Sequence, residues 1–93
     1  MFVASVRIEL HLPFAASLKD KRAILNRLKD RLRAAGFAVA EVDHSELWQR
    51  TALGLATVMA SSARLGEALS AARDIVGRQD EVQILDWIVA HHE

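Results

Sequence analysis

The 93-residue sequence contains no cysteine. This absence excludes disulfide bonds, thiolate metal sites and thiol catalysis, and it fits a reducing cytoplasm. No apolar run approaches the roughly 20 residues that a membrane-spanning helix needs, so no membrane association is expected. The 12 basic and 12 acidic residues cancel, and the net charge therefore indicates no partner. A hydrophobic fraction of 52% is typical of a globular chain, and we expect one cytoplasmic domain over residues 1–93.

Hydrophobic periodicity predicts four strands and two helices. Residues 2–12 alternate between apolar and polar side chains, which indicates a half-buried strand that ends before Pro13. Ser17 is the predicted cap of a first helix, because its hydroxyl can accept from the Asp20 amide, and Gly36 ends that helix. The remaining predicted elements are strands over 37–43, 52–60 and 82–91 and a second helix capped by Ser61 or Ser62 and ended by Gly77.

The order of these elements, βαββαβ, predicts an α+β fold of the ferredoxin-like type. Right-handed crossovers give a four-stranded antiparallel sheet of order 4-1-3-2 with both helices on one face. In this plait the end of the first strand, the start of the first helix and the connection between the second and third strands share one edge. The segments SLKDKR (17–22) and EVDHSELWQR (41–50) are therefore predicted to be spatial neighbours.

The first helix carries most of the basic residues of the chain. One face of its helical wheel forms a cationic stripe that comprises Lys19, Arg22, Lys29 and Arg33. Such a stripe suits contacts with RNA phosphates, and Arg50 is a further candidate contact. The alternative is a solvated amphipathic helix, since lysine and arginine are good helix formers.

Other RNA-binding and catalytic patterns are missing. The polar face of the first strand carries Ser5, Arg7, Glu9 and His11 without an aromatic residue, so base stacking across the sheet is disfavoured. The loop HLPFAAS lacks the arginine of an acylphosphatase anion cradle. The chain also has no Walker A loop, nucleophile elbow or HExxH motif, and we expect a non-enzymatic protein without a cofactor.

Lys21 lies inside the apolar arc of the first helix. One interpretation is that its stem packs against the core while its ammonium group snorkels to the edge. The other is a structural ion pair with Glu41, Asp43 or Glu46 in the neighbouring segment.

The EVDHSELWQR segment also contains residue types that bind metals. Asp43, His44 and Glu46 resemble zinc or manganese ligands in kind, but neighbours in a turn rarely converge on one ion, so no metal site is predicted. Trp48 is predicted to close the edge of the core, and the alternative is a platform for a ligand.

The last strand is apolar on both of its faces. Leu85, Trp87 and Val89 share one parity, and an exposed Trp87 would create a patch suited to a homodimer or a protein partner. The alternative function is therefore an oligomeric interaction module that uses the open sheet face and this strand. Gly54 and Ala56 would permit close approach if they face the open side.

The combination of RIELHLP, SLKDKR and AEVDHSELWQR followed by LGLA resembles the YlxP-like family, small bacterial proteins classed as a domain of unknown function. The resemblance covers nearly the whole chain and implies a ferredoxin-like plait. Genes of the family often lie beside that of ribosome-binding factor A, which implies a translation or ribosome-assembly context. The resemblance supplies no activity. We expect binding to ribosomal RNA or the small ribosomal subunit through the first helix.

Overall fold

The predicted sheet topology is present in the computed structural model, which describes residues 1–92. All strand pairs are antiparallel and the order is β2-β3-β1-β4, so the predicted fold class is confirmed. Strand β3 begins at Arg50, earlier than the predicted residue 52. The elements are β1 Phe2–His11, α1 Leu18–Ala34, β2 Ala38–Asp43, β3 Arg50–Met59, α2 Ser62–Gly77 and β4 Gln83–His92.

Local hydrogen bonds fix both ends of α1. The Ser17 hydroxyl accepts from the Asp20 amide at 3.1 Å, and the Asp20 carboxylate accepts from the Ala16 amide at 3.0 Å. At the other end, Gly36 adopts a φ of 96°, in the left-handed region that favours glycine. The amides of Gly36 and Phe37 then bond back to carbonyls in the last turn, which is a Schellman motif.

One face of the sheet is covered by both helices. Val6, Ile8 and Leu10 of β1 are buried on this face, and Leu28 of α1 and Val76 of α2 belong to the same core cluster. Burial of each such side chain contributes roughly 1.5–3 kcal/mol relative to exposure. The other face of the sheet is open, and the odd-numbered residues of β1 point to it.

Two β-bulges interrupt the ladder. Residue Val42 of β2 is extra between Glu41, which pairs with Leu53, and Asp43, which pairs with Ala52. Leu85 is the extra residue of β4. Each bulge places the residues that follow it on the face opposite to the one that simple alternation predicts.

Trp87 is not the exposed centre of a surface patch, as the apolar pattern of the last strand would have allowed. Trp87 pairs with Ile8 and Val89 pairs with Val6, so both residues face the helices rather than the open side. Trp87 packs against the core, and the Arg73 guanidinium of α2 lies 4.9 Å from its ring centroid. Leu85, at the bulge, is the most exposed of the three predicted surface residues.

The small residues of β3 do face the open side of the sheet. Gly54 pairs with Arg7 and Ala56 pairs with Ser5, and both partners lie on the polar face of β1. Val42 packs over Gly54, since a Cβ added to the glycine would meet a Val42 methyl group at 2.8 Å. Neither helix between residues 1 and 92 combines the length and apolar character of a membrane span.

Candidate functional site

The segments SLKDKR and EVDHSELWQR meet at one edge of the sheet, and Lys21 joins them. Its Nζ lies 2.8 Å from the Glu41 carboxylate and donates to the His44 carbonyl oxygen at 2.7 Å. Only 2% of the lysine side chain is exposed. The ion-pair interpretation is therefore confirmed, and Glu41 is the partner among the three candidate acids.

Glu41 is held as a carboxylate by its surroundings. Burial raises the pKa of its carboxyl. The hydrogen bonds from Lys21 and Thr51 and the charges of Lys21 and Lys29 together lower the pKa by more than burial raises it, so the net shift is downward. The pair fastens the start of α1 to the β2–β3 hairpin.

Above this pair, on the open face, lies a charged cluster formed by Arg7, Glu9, Asp43, His44 and Arg50. Glu9 is its centre, with a side chain only 16% exposed. The Glu9 carboxylate accepts from Arg7 at 3.0 Å, and it lies 3.2 Å from His44 Nε2 and 3.4 Å from Arg50 Nη2. Asp43 lies 3.3 Å from Arg7. The cluster therefore pairs its own charges.

The acids of the charged cluster are poor general acids at neutral pH. Burial raises the pKa of Glu9, but the Arg7 hydrogen bond and the nearby charges of His44 and Arg50 outweigh it and hold the pKa below its usual range. The hydrogen bond from the His44 amide lowers the pKa of Asp43. A carboxyl with a lowered pKa holds no proton to donate at pH 7.

The amide, the carbonyl and the ring of His44 each contact a different residue. Its amide donates to Asp43 at 2.8 Å, its carbonyl accepts from Lys21, and its ring contacts Glu9. The residue adopts a φ of 60°, which is uncommon for a side chain other than glycine although histidine is among the more tolerant. These contacts hold the turn in that conformation. Within residues 1–92, no group of three or more potential ligands is arranged to hold a metal ion.

Trp48 does not close the core, and the prediction that it is buried is wrong. Its side chain is 53% exposed. The buried residues Leu12 and Ala15 fill the edge of the core instead. The side-chain amide of Gln49, the next residue, donates to the carbonyls of Pro13 and Ala15 at 3.2 and 3.1 Å and so ties the turn to the connection between β1 and α1.

The exposed Trp48 forms one wall of a shallow pocket of about 460 Å³ at this edge. We call it the edge pocket. Leu47 is also half exposed, at 51%, and supplies a second apolar wall. The residues that line the pocket are His11, Leu47, Trp48, Gln49 and Arg50. The edge therefore carries a tightly paired charged cluster beside an open, largely apolar pocket.

The cationic stripe of α1 lies on the side of the helix next to β2. Lys19, Arg22 and Arg33 are exposed, whereas Lys29 is half-buried. Arg33 lies 3.6 Å from Asp30 on the same helix, an exposed pair. The charge of Lys29 acts on Glu41, which places this part of the stripe near the edge strand.

The other basic residues of the first helix have partners on the α2–β4 connection. Arg27 contacts Glu81, and Arg31 donates to Gln79 at 2.7 Å. Arg50, the further candidate for RNA contact, pairs with Glu9. It therefore belongs to the charged cluster and to the edge pocket rather than to the stripe.

Sequence reasoning missed Arg7 and Glu9 as site residues. The available signal was a pair of opposite charges two positions apart on the wet face of β1, near the end that meets the EVDHSELWQR segment. Thr51 and Leu47 gave no signal, because their roles depend on the register of β3 and on the path of the turn.

The fold defines the chain as an α+β plait whose distinctive side chains gather at the loop edge of the sheet. The chain belongs to the family described as "Protein of unknown function (DUF503)", whose family model matches residues 3–89. That range contains the whole charged cluster and the edge pocket. The chain is 40% identical over 48 residues to "Uncharacterized protein YlxP" of Bacillus subtilis (strain 168).

This match covers 50% of the chain and 52% of the Bacillus protein, so the chain spans about half the length of the curated relative that it matches. The resemblance to a YlxP-like family is confirmed by the two comparisons together. Neither description names an activity.

Proposed function

We propose that the protein binds RNA through the cationic stripe of α1, in the cytoplasm and in a translation or ribosome-assembly setting. The observation that carries the proposal is a difference between the two sides of α1 in whether the basic side chains contact other parts of the chain. Arg27 and Arg31 are engaged with the α2–β4 connection. On the stripe side, no carboxylate of residues 1–92 lies within salt-bridge distance of Lys19, Arg22 or Lys29.

The stripe is long enough to contact several phosphates of a nucleic-acid backbone. From Lys19 to Arg33 the helix rises roughly 20 Å, since each residue adds about 1.5 Å. Several phosphates of one strand fit along that distance. Phosphate contacts release condensed counterions, and binding through them weakens steeply with salt. Sequence is not read by such contacts, so this surface suits recognition of backbone and shape.

The test is a salt series of binding to small-subunit ribosomal RNA and to isolated small subunits. The variant Lys19→Glu/Arg22→Glu removes two stripe cations. The control Arg64→Glu/Arg78→Glu makes the same change in net charge at α2, where Arg64 lies in the helix, Arg78 is its C-cap and both arginines are exposed. We expect affinity to fall with salt at a log–log slope near −2, as about three single-strand phosphate contacts give, and to fall at least tenfold in the stripe variant alone.

Circular dichroism of both variants verifies that they are folded. Absence of binding by the parent protein at low salt would reject the proposal. An equal loss in the stripe and control variants would reduce it to a general charge effect.

A second candidate function is self-association through the open face of the sheet. The β2–β3 half of this face is apolar and built of small side chains, and it includes Ala38, Ala40, Val42, Gly54, Ala56 and Val58. Such a patch is suited to a flat interface. Light scattering of the parent and of Val58→Asp tests it. A dimer that the change dissolves, without RNA binding by the parent, would favour this function.

A further inference from the structure

We propose that the edge pocket takes an unpaired nucleobase of the RNA, stacked on Trp48. This inference rests on the proposed function and extends it from phosphate contacts to base contact. It also differs from stacking on the sheet face, for which β1 offers no aromatic residue.

The backbone around Trp48 is held in place although the ring is exposed. The turn that carries it is fixed at one end by Lys21, which donates to the His44 carbonyl, and at the other by Gln49. The Leu12 amide also donates to the Gln49 carbonyl at 2.9 Å. A turn fixed in this way needs little rearrangement when a base stacks on its tryptophan, which favours affinity. Exposed aromatic rings serve as base platforms in proteins that bind single strands.

The walls of the edge pocket supply polar groups that suit the edge of a base. His11 Nδ1 lies 3.1 Å from the Gln83 side-chain oxygen. In the tautomer that donates to this oxygen, the other ring nitrogen is a free acceptor. Arg50 pairs with Glu9 through one nitrogen and its side chain remains 43% exposed. The pocket thus offers an aromatic ring, an acceptor and a cation, which together match an amino-bearing heterocycle.

The edge pocket and the start of the cationic stripe lie at the same edge of the molecule. Lys21 contacts the turn that precedes Trp48, and Arg22, beside it in the chain, is exposed at the start of the stripe. A strand whose base enters the pocket would therefore pass its phosphates to the first turn of α1. The base must be unpaired to stack, so the occupant is single-stranded RNA rather than a duplex.

The experiment compares a short oligoadenylate with an abasic oligomer of the same length, by anisotropy of labelled oligomers. We expect the parent to bind the oligoadenylate at least about fivefold more tightly, the lower bound that stacking of one base gives. Trp48→Ala should reduce that affinity to the abasic level without changing abasic binding. Trp48→Phe should restore part of the difference. Leu85→Ala, which removes an exposed apolar side chain outside the pocket, should change neither affinity.

A second readout uses the emission of Trp48 alone. The chain has two tryptophans, and Trp87→Phe leaves Trp48 as the one reporter. Oligoadenylate should quench its emission, and the abasic oligomer should not. Equal affinity for both oligomers, unchanged in Trp48→Ala, would overturn this inference and leave the proposed function intact.

Failure of both oligomers to bind at low salt would reject the proposed function instead. Adenosine, which carries no phosphate, then tests the edge pocket by itself. Quenching of Trp48 by adenosine would support the pocket as a base site, and absence of quenching at millimolar adenosine would overturn it.

Discussion

The Lys21 ammonium and the Glu41 carboxylate are 2.8 Å apart beneath the edge of the sheet, where the lysine is almost fully enclosed. The pair links the start of α1 to the edge strand β2. A buried pair of this kind adds little net stability compared with an apolar pair, but the loss of one partner leaves an uncompensated charge.

The first prediction concerns this asymmetry. Glu41→Gln should lower the free energy of unfolding by about 3 kcal/mol, because Lys21 then keeps the His44 carbonyl as its one strong partner. The double variant Lys21→Met/Glu41→Gln should recover most of that loss, since no charge remains buried. Urea denaturation measures both. Glu46→Gln, an exposed acid of the same turn, is the control and should stay within about 0.5 kcal/mol of the parent. A double variant less stable than Glu41→Gln would contradict the prediction.

The second prediction concerns acid pH. The pKa of Glu41 in the folded protein is lower than the ordinary value of 4.5. Its stabilising contribution is therefore complete above that value and is lost as the pH falls through the lower folded pKa. The free energy of unfolding of the parent should decrease more steeply below pH 4.5 than that of Glu41→Gln. The variant should retain some slope, because the pKa of Glu9 is also lowered. Parallel pH profiles of the two proteins would show that Glu41 is not coupled to folding.

The third prediction concerns the contact between Gly54 and Val42 on the open face. The Cβ that Gly54→Ala adds would lie 2.8 Å from a Val42 methyl group, closer than real contacts of this kind. We expect a loss of about 1–3 kcal/mol from overpacking. In a Val42→Ala background the same change should cost clearly less, and thermal denaturation of the four proteins gives the coupling. Additive effects would mean that the backbone, rather than Val42, limits the space.

The fourth prediction contrasts two glycines. Gly36→Ala should destabilise the protein by about 1–3 kcal/mol, because φ at this position is 96°. Gly66→Ala lies within α2 and meets no atom within 4 Å, so it should stabilise by about 1 kcal/mol through helix propensity. The midpoints of urea unfolding should move in opposite directions. A shift of both midpoints in the same direction would count against the assigned conformation of Gly36.

The elements of the fold could be predicted because their signals are local. The Ser17 cap and the Gly36 stop each act within a few residues, and alternation along β1 identifies its buried face. The side of the sheet that Trp87 faces depends on how β4 pairs with β1, where a bulge at Leu85 breaks the alternation. The hydrophobic periodicity of β4 alone does not reveal that β4 has one residue more than the part of β1 with which it pairs.

The position of the candidate site could be predicted from the sequence, but its side-chain contacts and the exposure of its residues could be predicted only in part. Topology brought the two motif segments together, and charge and position narrowed the partners of Lys21 to three acids. The exposure of Trp48 was not predictable, since it depends on the path of the turn, which includes hydrogen bonds between Gln49 and the carbonyls of Pro13 and Ala15. Those residues are remote in sequence, and a glutamine side chain gives no sign of which backbone it will bind.

The bulge at Val42 determines the side of the sheet on which the two acids of the hairpin, Glu41 and Asp43, lie. Glu41 and Asp43 are two positions apart and would share a face in an unbroken strand. The extra residue separates them, so that Glu41 meets Lys21 below the sheet and Asp43 meets Arg7 above it. If Val42 instead paired regularly with β3, both carboxylates would lie on the helix face and Arg7 would lose one of its acids. The extra, unpaired residue of β2 is thus what supplies one acid to each layer of the molecule and balances the charge of Lys21 and of Arg7 separately.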